Sequence, residues 1–229
     1  MRAGVLVVSA LLLSGCVTEL LGDEVQTVRN VACAVLAHSP RVEIHVHAAT
    51  ELDMQGPVSA FIAELAPLRD PATVSVVTTP TDLPTDLDAW SMEQMVLERD
   101  RAVLHVLVRE GTADGPTFEA LDPGVFVLDV AALQAGAQAT GRDLMDVTRI
   151  VFLHAMGHEL GVVNAGIPLN GTDLSGREGP MHHEPAPTSV MHVGWHAAIS
   201  MPKSNSTYAG YSAAVHDDWA AAVAGGICA

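Results

Sequence analysis

At 229 residues the chain suits one domain or two closely joined lobes, and 49% hydrophobic against 17% charged residues supply ample material for a core. A formal charge of −16, with no run of Lys and Arg, excludes nucleic acid as a partner, because phosphate binding needs clustered cations. There is no G-x-S-x-G, no phosphate-binding loop and no dinucleotide fingerprint.

In chain order the N-terminus comes first. Met1-Arg2 is a short positive start, and residues 5–13 form an apolar stretch too short to span a bilayer as a stable helix. Leu13-Ser14-Gly15-Cys16 then resembles the lipobox of bacterial lipoprotein signal peptides, in which cleavage frees a cysteine whose thiol takes the lipid. The resemblance implies a signal peptide over 1–15, lipidation at Cys16, a tether over 16–35 and a folded domain over 36–229. Val17 in place of Asp points to the outer membrane, within the cell envelope. The alternative is a plain secretory signal with an incidental cysteine. Cys33 and Cys228 remain, and an export compartment permits them to pair. The even count favours a bridge over two buried thiols.

Residues 41–47 alternate apolar with polar, the period of a half-buried strand, with His45 and His47 at outward positions. A solvent-facing strand edge explains those histidines better than metal binding does. Residues 57–65 predict a helix with Pro57 in its first turn and a buried stripe of Val58, Phe61, Ile62 and Leu65. A β-branched strand follows at 73–79, then a Pro- and Asp-rich loop at 80–88. Residues 91–99 predict a short helix with Met92, Met95 and Val96 inward, and 102–108 a third strand. Two more short strands, 118–121 and 125–130, flank Asp122-Pro123-Gly124. A long helix is expected over 140–160, capped by Thr140 with Asp143 completing a capping box and ended by Gly161. Residues 165–190 are dense in Gly, Pro and His and read as irregular. Residues 211–223 predict a last helix with Val215 and Trp219 inward.

The chemistry concentrates in the long helix. His154 and His158 are four residues apart, which at about 100° per residue puts them on one face, one turn apart. Two imidazoles so placed can ligate one zinc ion; on most helices such a pair is coincidence or a polar face. Here it lies in His154-Ala155-Met156-Gly157-His158-Glu159-Leu160-Gly161-Val162-Val163-Asn164. This segment resembles the zinc signature of metzincins, H-E-x-G-H-x-x-G-x-x-H, and Ser189-Val190-Met191 resembles that clan's Met-turn. A bacterial matrixin-like lipoprotein branch is the nearest resemblance, with Asn at the position of Asn164 and a Gly-x-Pro like Gly166-Ile167-Pro168 after it. The resemblance implies an α/β (α+β) fold with a twisted, mainly parallel sheet of about five strands and two or three major helices. It further implies a long zinc helix, an upper lobe ending near 161, and an irregular C-terminal subdomain over 162–229 with the Met-turn and a final helix.

Two departures bear on activity. Ala155 stands where the resembling enzymes carry the glutamate that holds the zinc-bound water and shuttles its proton. Losing a positioned general base costs about 10²–10⁴-fold in rate. Asn164 replaces the third histidine, and an amide oxygen is a poor zinc ligand beside imidazole. The resemblance makes His182 or His183 the expected third ligand; exposed loop histidines are the alternative. His192, His196, His38, His105 and His216 are weaker candidates. Glu159 or Glu184 could supply a displaced base, against the alternative that each is a solvated surface charge.

The expected function is a zinc-peptidase-like surface lipoprotein impaired by Ala155, binding a peptide or protein. The competing readings are an active zinc endopeptidase using Glu159 or Glu184, and a non-catalytic, metal-stabilised surface module. The cofactor in each is Zn²⁺, and the membrane contact is the lipid anchor.

Overall fold

The computed structural model describes residues 31–98, 102–160, 189–191 and 210–224. Five strands form one sheet: β1 (Val42–Ala48), β2 (Val74–Pro80), β3 (Ala102–Arg109), β4 (Phe118–Asp122) and β5 (Val125–Asp129). Their order is β2-β1-β3-β5-β4. Every neighbouring pair is parallel except β4–β5. The mixed α/β class and the mostly parallel sheet therefore match the expectation. Parallel neighbours need crossovers, and α1 (Gln55–Leu65) and α2 (Leu87–Glu98) supply them between β1, β2 and β3. After β5 come α3 (Val130–Thr140) and α4 (Leu144–Glu159), and α5 (Ala213–Val223) is last. Among the described residues, these five α-helices are one more than the four read from the sequence.

β3 and β5 lie inside the sheet and are buried on both faces, which is why they read as near-continuous apolar runs. One face of the sheet packs through Ile44, Val46, Leu104, Val106, Phe126 and Leu128 against α1, α3 and α4. Phe152 of α4 centres that layer, with its ring 6.1 Å from Phe61 and 5.9 Å from Phe126. The other face carries a smaller core, where Leu107, Val125 and Val127 meet Leu87 and Trp90 of α2.

Several expectations need correction. The single helix over 140–160 is two helices. Gly141 sits at φ 66° and ends α3, while Asp143 caps α4 by accepting from Met145 N at 2.8 Å. Thr140 does not cap α4: it is the buried last residue of α3, and its hydroxyl donates to Gly136 O. The helix α3 itself is absent from the sequence reading, because its Ala- and Gln-rich run offers only Val130 and Leu133 as larger apolar side chains. Met92 points to solvent, 54% exposed, because Leu87 and Trp90 face the core and Met92 lies about 200° round the helix from Trp90. The folded domain also begins before the expected boundary at residue 36. Ala32, Val35 and Leu36 are buried in the core, and the guanidinium of Arg69 donates to the carbonyls of Val35 and Ser39.

Cys33 is disulfide-bonded and packs on Ala222 of α5. Cys16 and Cys228 lie outside the described residues. Among the described residues no helix is long and apolar enough to cross a membrane.

Candidate functional site

The α4 histidines are brought together. Their Nε2 atoms are 2.9 Å apart and their ring centroids 4.5 Å. His154 is fully buried, and its Nδ1 lies 2.8 Å from Val190 O. A ring nitrogen facing a carbonyl must donate, so the Nε2 lone pair of His154 is left toward His158. Fixing an imidazole through its second nitrogen is how proteins orient metal-ligating histidines. Phe118 of β4 lies against both rings, at 5.9 Å from His154 and, stacked, at 6.4 Å from His158.

Residues distant in sequence seat this pair. Met191 is fully buried, and a Cβ added to Gly157 would stand 2.3 Å from its Sδ. A glycine between the two histidines is therefore what lets the Ser189–Met191 turn approach α4. Tyr211 donates its hydroxyl to Leu153 O at 2.6 Å. Burial, with the Glu64 charge adding to it, pushes that hydroxyl well above its usual range, so it remains a donor.

Ala155 is buried in the main core. Glu159 is neither a solvated surface charge nor turned toward the histidines. It is buried, and its carboxylate accepts from Gly124 N in the β4–β5 turn. At about 100° per residue its stripe lies well round the helix from His158. Burial, reinforced by the Asp122 charge and opposed by the Gly124 hydrogen bond, lifts its pKa to about 8. Asn164, His182, His183, Glu184, His192 and His196 lie outside the described residues. His216 is on α5, with its Nε2 2.9 Å from Glu64 Oε2 and its ring 6.4 Å from that of Tyr211.

A second group of histidines was misplaced by sequence reasoning. β1 is flanked by β2 and β3, so His45 and His47 are not on a strand edge. They are half-buried, on the face that α2 covers, and β1–β3 register sets His105 directly beside His45. The ligand atoms of His45, His47 and His105 all lie within 4.8 Å of one another, close enough to bind a metal ion. The available signal was the His-x-His alternation, which places two imidazoles on one face of a strand. The third member needed the strand pairing.

Comparison with protein-family models, with curated proteins and with solved structures found no match for the chain.

Proposed function

We propose that the protein is a metzincin-like, lipid-anchored envelope protein that holds zinc on α4 through His154 and His158 and binds a peptide or protein without efficient cleavage. The observation that carries this reading is the convergence of the two Nε2 atoms at 2.9 Å, with His154 oriented by Val190 O. Two imidazole nitrogens on one tetrahedral zinc stand about 3.3 Å apart, given bonds of about 2.0–2.1 Å, so little movement is needed. Met191 beneath Gly157 supports the same reading, because it packs the turn against the helix at the metal-binding level. Zinc there would act as a Lewis acid and lower the pKa of a bound water.

The pseudoenzyme half of the reading rests on Ala155, which has no group to accept a proton. Glu159 does not substitute, since its carboxylate is held by Gly124. Glu184 is the remaining carboxylate for an active peptidase. The experiment is zinc analysis of the purified full chain beside His158→Ala, with a peptide-cleavage assay on the unaltered chain. The expected result is one equivalent of zinc lost on His158→Ala and no chelator-sensitive cleavage. Chelator-sensitive cleavage would overturn the pseudoenzyme reading, and unchanged zinc would overturn the α4 site. A far-UV spectrum of the variant guards against loss by unfolding.

A further inference from the structure

On the sheet face opposite α4, three strand positions carry imidazoles within reach of one another. We propose that His45, His47 and His105 form a second, independent site for one borderline divalent metal ion, with zinc its natural occupant. The placement follows from backbone geometry. Alternate residues of a strand share a face, so His45 and His47 point the same way from β1, and parallel pairing puts His105 of β3 beside His45. Their ligand atoms fall within 4.8 Å of one another, and His47 Nε2 is 3.0 Å from His105 Nδ1.

The donor set selects the ion. Three imidazoles without a thiolate suit zinc and the neighbouring divalent metals rather than calcium or magnesium, and a three-histidine set leaves a fourth position open. The surroundings fit the same purpose. Glu43 Oε2 lies 2.9 Å from His45 Nε2, the carboxylate–histidine pairing that orients a ligand ring. Trp90 of α2 covers the group edge-on, with its ring centroid 5.3 Å from both His47 and His105. His45 keeps 23% of its side chain exposed, so an ion can enter. The competing account is a metal-free hydrogen bond between His47 and His105.

Trp90 makes the test direct. The full chain carrying His154→Ala and His158→Ala, stripped of metal, is titrated with Zn²⁺ by calorimetry and with Cu²⁺ by tryptophan fluorescence. One saturable equivalent is expected in both. Trp90→Phe should remove the quenching and leave the zinc equivalent in place. Glu43→Gln should weaken binding by about 10–100-fold. His45→Gln should abolish it; this ring is only half-buried, so the variant should fold even where His105→Gln does not. No uptake by the α4 double variant, or uptake unchanged by His45→Gln, would overturn the proposal. The two sites fail separately, because each histidine set removes its own equivalent.

Discussion

At the scale of single residues, Glu159 shows how burial reverses a plain charge. A carboxyl in unfolded chain titrates near 4.3, whereas in the fold its pKa is lifted to about 8. Between those values the folded protein keeps a proton that the unfolded chain releases. Its stability therefore falls as pH rises from about 4.3 to 8 and levels off above, by an amount on the order of a few kcal/mol. Glu159→Gln keeps an oxygen for Gly124 N and carries no charge. Urea unfolding with chelator present, at pH 5 and pH 8, should show a drop for the unaltered chain that the variant lacks. A variant with the same drop would mean that the slope arises elsewhere.

At the scale of elements, the contact that matters is α4 against the Ser189–Met191 turn. Glycine inside a helix costs about 1 kcal/mol relative to alanine, so Gly157 works against its own helix. The compensation is closeness: a methyl there would stand 2.3 Å from Met191 Sδ and 3.2 Å from Tyr211 Cε1. Overpacking of this kind costs about 1–3 kcal/mol. Gly157→Ala should therefore destabilise the unaltered chain, and the same change should be neutral to stabilising when Met191 is Ala. A double-mutant cycle by thermal melting reads the sign directly. Equal effects in both backgrounds would show that Met191 does not set the need for glycine.

At the scale of the whole molecule, residues 32–36 and α5, far apart in sequence, meet the same core. Ala32, Val35 and Leu36 pack with the residues that α5 buries, Val215 and Trp219, and Cys33 touches Ala222. A bond from disulfide-bonded Cys33 to Cys228, six residues beyond Ala222, would close a loop over nearly the whole domain. Removing such a bond from an exported domain costs about 2–5 kcal/mol. Peptide mapping without reductant should recover Cys33 joined to Cys228, and Cys228→Ala should lower the Tm as much as reduction does. A Cys33–Cys16 peptide would overturn both this pairing and the proposal of a lipid at Cys16.

The sequence by itself determined the strands and most of the helices. Period-2 alternation in β1, apolar runs in β3 and β5, and the 3.6-residue stripes of α1 and α5 are local patterns that burial imposes. The His154–His158 pair was legible for the same reason, since four residues on a helix are neighbours by covalent geometry alone. The break at Gly141 was not, because Thr140 and Asp143 imitate a helix start and only the chain path shows that one closes α3 and the other opens α4. Contacts between distant segments were beyond local pattern altogether. Strand order moved His45 and His47 from a supposed edge to the interior and set His105 beside them. Packing took Glu159 out of solvent and onto Gly124. Local periodicity says which face a side chain lies on; which element that face meets is settled only when the sheet and helices pack.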